Sequence, residues 1–584
     1  MSRFGRWLLV VALGLSVMGL GSAPADPDGS SRETGYIQIP GGPLLAYSAV
    51  FPNDGKKHPT LFEYSGYNPG SVPDEPYIAR YVSKGYAYIG VNIRGTGCSG
   101  GTFDFFAPVQ ADDGAYVIDN FIPSRPWSNG DVAMIGKSYP GITQLFVAER
   151  QPTHLKAIAP GHFYADAYRD VSYPGGILDY SFASLWSFIS QPVPGYSSAI
   201  QASAGGDAIC ARNMVTHTAM NARYNPFIQA QEHRYDDRIF AERSPQTFVR
   251  NINVPVFTAL AWQDEQLGSR QSHMLSQLDV PYWAILTNGD HGMYRTATSL
   301  ALLDKFYDHF LKGIDNGFEN TPHVLVWWEA NDASRAPRWV TGFPSWPVSA
   351  TPKRLFLGAD GALGGTAVAQ GMPDPYLYPP GTQGIGNPRY GYPSLPDVYI
   401  WPAKPIPGTA VSYTTQPLAK TTVALGSASL DLWLASTAPD TDVQVTLTEV
   451  RPDGQEMYVQ KGWLRASHRA LDAKRSTILR PYQTHKARDA ALLTPGEPTQ
   501  MRVEIFPFGH VFRAGSQIRV WIEAPTALPE LWGFAFTPIP AVNLVYHDSA
   551  HASSLVLPIV DVPVPAAGRA LPECALVRQP CRAA

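Results

Sequence analysis

The chain has 584 residues, 45% hydrophobic and 16% charged, with a net charge of −4. That length exceeds one ordinary core, so two or more domains are expected, and the composition excludes a disordered chain. The charge balance argues against nucleic acid or an anionic membrane surface as a partner.

Residues 1–25 read as a signal peptide. Arg3 and Arg6 precede an apolar stretch over 7–20, and Ala23-Pro24-Ala25 fits a small-x-small cleavage site. The apolar run is short for a bilayer span of about 20 residues. No cysteine lies near the cleavage site to carry a lipid anchor, and no later segment is apolar enough to cross a bilayer. A secreted or cell-envelope protein is expected, with no stable membrane anchor after cleavage.

Apolar runs suited to strands follow at 60–62, 87–91, 132–135, 155–159, 254–262 and 282–286. Continuous apolar runs suit parallel strands covered on both faces. Helical segments at 76–84 and 300–311 lie between or after them; in the latter, Leu303, Phe306, Phe310 and Leu311 recur at helical spacing. This alternation predicts a doubly wound parallel sheet, an α/β class. It lapses over 163–250, where Tyr164, Tyr173, Tyr180, Phe182, Trp186 and Phe188 mark an aromatic, mostly helical insertion. Such an insertion can roof a ligand crevice or form a packed subdomain.

After about Pro322 the period changes. Val443, Val445 and Leu447 alternate with Gln444, Thr446 and Thr448, and Pro452-Asp453-Gly454 supplies a turn. Segments 502–505 and 518–522 alternate in the same way, which predicts an antiparallel sandwich. The Gly/Pro/Tyr-rich stretch 373–399 reads as a long ordered loop. Cys98, Cys210, Cys574 and Cys581 admit three pairings that sequence does not choose among. Cys574 and Cys581 are close enough to close a small loop, which would leave Cys98 and Cys210 as a second pair. Their spacing does not resemble a zinc site, and nothing calls for a metal or cofactor.

Gly136-Lys137-Ser138-Tyr139-Pro140-Gly141 joins a strand to a helix. A serine on such a turn presents its hydroxyl outward, with helix N–H groups aimed at the same spot. A serine nucleophile needs a base, and the base an orienting acid. The strand over 254–262 runs into Gln263-Asp264-Glu265, and the strand over 282–286 runs into Asn288-Gly289-Asp290-His291. Asp264 is the candidate acid and His291 the candidate base, in the order expected after the serine. Glu265 competes as the acid, and Asp290 is a neighbour of the base. The Tyr139 N–H is one candidate oxyanion donor. The strand at 60–62 leads to Tyr64 and Tyr67, either of which can offer an O–H as the other.

Several segments together resemble the hydrolases that include cocaine esterase, α-amino-acid ester hydrolases and X-Pro dipeptidyl-peptidases. They include Arg94-Gly95-Thr96-Gly97-Cys98-Ser99-Gly100-Gly101, Trp127-Ser128-Asn129-Gly130-Asp131-Val132, and the family's G-x-S-Y-x-G pattern around Ser138. Tyr235-Asp236-Asp237-Arg238, Lys461-Gly462-Trp463-Leu464-Arg465 and Phe512-Arg513-Ala514-Gly515 extend the likeness through both halves. The resemblance implies an α/β-hydrolase over 35–320 with a helical cap at 163–250, then a C-terminal jelly roll over 322–565 and a tail at 566–584. It implies Ser138, Asp264 and His291 as triad and Tyr67 as oxyanion donor, although Gly66 stands where the family has proline. The expected activity is hydrolysis of carboxylic esters or amides through an acyl-enzyme on Ser138. The substrate would be a small ester or a peptide. Alternatives are release of X-Pro dipeptides, acyl transfer to another nucleophile, or a catalytically inactive binding protein on the same scaffold.

Overall fold

The computed structural model describes residues 27–67, 75–180, 204–378, 405, 407–525, 532–535 and 537–584. The signal-peptide segment, most of the 373–399 stretch, and Phe182, Trp186 and Phe188 lie outside these.

The first sheet contains β1 (Ser30–Gln38), β2 (Leu44–Pro52), β3 (His58–Ser65), β4 (Ala87–Asn92), β5 (Ser128–Lys137), β6 (Leu155–Gly161), β7 (Val256–Ala261), β8 (Tyr282–Thr287), β9 (Val324–Trp328) and β10 (Trp339–Phe343). Their spatial order is β1-β2-β4-β3-β5-β6-β7-β8-β9-β10. The strands from β4 across to β9 run parallel, while β1, β2 and β10 are antiparallel to their neighbours. The sheet therefore continues past Pro322, where the change of period had suggested that it ends. The run Val324–Trp328 is as apolar as the other central strands and pairs with β8.

Why these strands are apolar throughout is visible in the two cores. Leu61, Ala133, Ile135, Ala159, Phe257 and Ile285 face one layer, where they meet Leu303, Phe306, Tyr307 and Leu311. Their neighbours Phe62, Met134, Ile158, Val256 and Leu286 face the other layer with Ile142, Leu145 and Val147. Strand side chains alternate between faces, and here both faces are dry.

Among the described residues, the helices that pack with this sheet or follow its strands are α1 (Glu75–Val82), α2 (Pro108–Tyr116), α3 (Tyr139–Ala148), α4 (Ala208–Asn221), α5 (Pro226–Glu232), α6 (Arg238–Glu242) and α7 (Ala297–Lys312). The Thr296 side chain caps α7 by accepting from the Ser299 N–H at 3.2 Å, and Gly313, at φ 63°, ends it. Between β6 and β7 lie α4, α5, α6 and a π-helical turn, Ala167–Ser172.

The second unit is a 12-stranded, almost entirely antiparallel sheet system. Its longest strands, Thr422–Ser436 and Thr499–Phe512, pair with each other around a core containing Leu430, Leu432, Val503 and Ile505. The start of the supposed loop is in fact a strand, Asp374–Tyr378, paired with Ala541–Tyr546. Buried and exposed positions alternate along it, and Tyr376 and Tyr378 point inward. The C-terminal segment is likewise structured: Cys581–Ala583 adds an edge strand to Gln455–Met457. Disulfides join Cys98 to Cys210 and Cys574 to Cys581. The first ties the loop after β4 to α4. Among the described residues, no helix is long and apolar enough to cross a membrane.

Candidate active site

Ser138 occupies the turn from β5 into α3 with φ 64° and ψ −128°. A non-glycine residue held there is strained and persists only where its surroundings fix it. The Ser138 N–H donates to the Gly161 carbonyl at 2.8 Å, and the Ser138 carbonyl accepts from Gly141 and Ile142, both at 2.8 Å. The shifted glycine now has a physical reason. A Cβ at residue 141 would lie 2.2 Å from the Gly161 oxygen, so only glycine lets the first turn of α3 rest on the end of β6. Pro140 stands in that first turn, where its missing N–H is harmless.

Asp264 and His291 follow β7 and β8. His291 Nδ1 donates to Asp264 at 2.9 Å (Oδ2) and 3.0 Å (Oδ1), and Asp264 is fully buried. Oδ1 also accepts the backbone N–H groups of Gln266 at 2.9 Å and Leu267 at 3.1 Å. Burial disfavours the Asp264 anion, but His291 and a second histidine, His162, outweigh it and hold the carboxyl well below the usual range. His291 Nε2 is buried and has no hydrogen-bond partner among the described residues.

Glu265, the rival acid, does not reach the imidazole. It accepts the backbone N–H of His291 at 3.1 Å. Asp290 turns away to a bidentate pair with Arg335 at 2.6 and 2.7 Å. The side chain of Tyr64 is buried against Gly114, on the core side of β3. Tyr67 instead lies past the end of β3, its ring edge-on to Tyr139 at 5.3 Å. Gly66, the departure from the family pattern, is explained by that neighbour: a Cβ there would sit 2.3 Å from the Tyr139 ring.

Two residues went unnoticed in the sequence. His162 follows β6 at φ 45° and donates from Nδ1 to Asp264 Oδ2 at 2.8 Å. Its Nε2 accepts from the Tyr294 N–H at 3.2 Å, which fixes a neutral tautomer; burial lowers its pKa in keeping with that. A histidine directly after a central strand was the available signal. Although His162, Asp264 and His291 cluster closely enough to suggest a metal site, both Nδ1 atoms and the carboxylate are occupied by hydrogen bonds to one another. Lys137, beside the serine, donates from Nζ to the His291 carbonyl at 3.0 Å, and burial lowers its pKa.

Ser138 and Tyr139 line a pocket that is partly open to solvent. Its walls include Phe105, Phe106, Ile142, Tyr164, Phe240 and Leu267. Among the described residues Arg243 is the sole charged side chain on them, and it is paired with Asp104 at 2.9 Å. The acidic residues near the insertion are engaged elsewhere. Glu63 accepts from Tyr88, Asp166 pairs with Arg169 at 2.8 Å, Asp170 pairs with Arg270 at 3.1 Å, and Asp179 accepts from the Gly533 N–H at 3.1 Å.

This sheet order, with a strained serine after β5, an aspartate after β7 and a histidine after β8, defines an α/β-hydrolase. Residues 41–293 match the family described as X-Pro dipeptidyl-peptidase (S15 family). Residues 316–556 match its C-terminal non-catalytic domain. The chain thus carries both the catalytic and the C-terminal domain described for that family, and it is a serine hydrolase. A Mycobacterium tuberculosis protein whose name calls it a serine esterase is 27% identical over 551 residues, covering 82% of this chain and 84% of that protein. Cocaine esterase of Rhodococcus sp. is 25% identical over 544 residues, covering 82% and 89%. Among solved structures, a CocE/NonD family hydrolase from Staphylococcus aureus superposes with a TM-score of 0.74 at 22% identity, covering 91% of this chain and 93% of that one. An α-amino-acid ester hydrolase gives a TM-score of 0.71 at 17% identity, covering 93% and 99%.

Proposed function

We propose that this chain is an exported carboxylesterase for esters with an apolar acyl or aryl group. The pocket beside Ser138 carries this reading: among the described residues its walls are mostly aromatic and aliphatic, and none of them is a carboxylate. A dipeptidyl-peptidase must hold a free α-ammonium group, and a cation leaving water needs an anionic partner. Glu63, Asp166, Asp170 and Asp179, the acidic residues considered for that role, are already engaged.

In the proposed cycle Ser138 Oγ attacks the ester carbonyl while His291 Nε2 takes its proton. Asp264 keeps Nδ1 protonated and stabilises the imidazolium. The Tyr139 N–H and the Tyr67 O–H hold the oxyanion. The alcohol leaves with the proton from His291, and water activated by the same imidazole releases the acid. Export is supported by the N-terminal sequence and by two disulfides, which persist in oxidising compartments. An N-terminus beginning just after Ala25 in protein recovered outside the cell would agree with it.

The test is a parallel screen of p-nitrophenyl butyrate and benzoate against Gly-Pro and Ala-Pro p-nitroanilides. Ester turnover should dominate, and Ser138→Ala should lose about three or more decades of kcat. Faster cleavage of the anilides would overturn the ester reading, and equal turnover by Ser138→Ala would overturn the nucleophile.

A further inference from the structure

The matched C-terminal domain ends at residue 556, yet the residues beyond it reach the active site. The loop 574–581, closed by Cys574–Cys581, is packed between the two sheets. On the side of the second unit, Cys581–Ala583 pairs with Gln455–Met457. There the Tyr458 N–H donates to the Pro580 carbonyl at 3.0 Å, and Arg582 pairs with Glu456 at 2.8 Å.

On the hydrolase side, Val577 is buried with Ala261, Met293 and Ala330. Ala261 ends β7, just before the acid, and Met293 lies two residues past the base. The Val577 carbonyl accepts from Asn288 Nδ2 at 3.1 Å, and the Val577 N–H donates to the Ala330 carbonyl at 3.0 Å. At the tip, Arg578 is held at φ 60° and pairs with Glu265 Oε2 at 3.5 Å. That same oxygen accepts the His291 N–H at 3.1 Å. Both side chains are more than nine-tenths buried.

We propose that the disulfide-closed loop 574–581 is a positioning element for His291, with Arg578 acting through Glu265. The proposal rests on the reading of His291 as general base. A buried carboxylate that loses its cation is an uncompensated charge, and it moves or neutralises. The His291 N–H would then lose its acceptor. The two peptide groups of His291 are anchored from opposite ends, the N–H by Glu265 and the C=O by Lys137. Releasing one end lets the imidazole drift, and a shift of about 1 Å at a reacting group is enough for about a 10²-fold loss of rate. The disulfide confines the chain that carries Arg578.

The experiment compares wild type, Arg578→Ala, Arg578→Lys and the Cys574→Ser/Cys581→Ser pair on p-nitrophenyl butyrate. Active sites are titrated with a fluorophosphonate, and folding is checked by thermal melting. We expect kcat per titrated site to fall about 10–100-fold in Arg578→Ala and in the double serine variant, with KM within about threefold and Arg578→Lys recovering most of the loss. A merely structural role would lower the number of titratable sites and leave kcat per site intact. Values within about twofold of wild type for both variants would overturn the proposal. Should the variants not fold, folded wild type with Cys574–Cys581 selectively reduced gives the same decision. Cys574 is exposed, whereas Cys98 and Cys210 are buried. If wild type shows no turnover or labelling that depends on Ser138, the functional reading fails instead, whatever the loop does.

Discussion

Two neighbouring regions between β6 and the second unit handle charge in opposite ways. The pocket beside Ser138 is walled mainly by rings and aliphatic groups, and its one charged residue among those described, Arg243, is already paired. A few residues away, a buried network links Asp166, Arg169, Asp170 and Arg270 to Glu504 and Tyr482 of the second unit. Arg169 also donates to the carbonyls of Gln483 and Thr484, at 2.8 and 3.0 Å. The acidic residues that cluster in this stretch of sequence are therefore tied into the seam between the two units. Among the described residues the pocket keeps no unpaired charge, and this is the feature that favours the proposed apolar ester over a charged peptide terminus.

The largest effect should come from breaking the network. Arg270→Met leaves Asp170 and Glu504 facing each other's element without their shared cation. It should lose about 3–5 kcal/mol in urea unfolding, because an unpaired buried charge is far costlier than an absent pair. Burial already pushes the Asp170 carboxyl up to about 6, so it is poised to take a proton instead. If stability is unchanged, the network does not hold the seam.

The pocket should respond differently. Phe240→Ala removes a wall and should lower kcat/KM for p-nitrophenyl benzoate by about 10–100-fold, or about 1–3 kcal/mol, while p-nitrophenyl acetate changes little. An equal loss on both esters would mean that the wall supports the catalytic groups rather than the acyl chain.

The smallest effect is a pH dependence at the seam. His468 lies with one Nδ1 3.1 Å from that of His485, stacked under Tyr235 and near Arg465 and Asp442. Burial and Arg465 lower its pKa to about 4, from 6.5. The folded value lies below the unfolded one, so the unfolded chain binds the extra proton first. The stability is present above about pH 6.5 and is lost as pH falls toward 4. We expect about 1–2 kcal/mol less stability at pH 5 than at pH 7, with a shallower slope in His468→Gln. An unchanged slope in that variant would assign the dependence to other groups.

The sequence carried the parts that depend on local order. Ser138, Asp264 and His291 each follow a central apolar strand, and strand ends converge on one edge of a parallel sheet. What it could not carry depends on which way a side chain turns, or on distant segments returning. Tyr64 and Tyr67 differ by three residues, yet one is turned into the core and the other lies beside Tyr139. The strands β9 and β10 sit beyond a proline and a change of period, so pairing rather than pattern assigns them to the first sheet. Arg578 meets Glu265 across more than 300 residues of chain, and no local spacing announces that.

The Cys98–Cys210 bond has one more consequence. It joins two cysteines 112 positions apart and closes a loop that contains β5, Ser138 and β6. Any single proteolytic cut within that loop leaves both fragments covalently joined. After limited proteolysis, a clipped molecule would stay one particle and migrate intact on a non-reducing gel. Only reduction would reveal the break, so the bond turns what would be fragmentation into a nick.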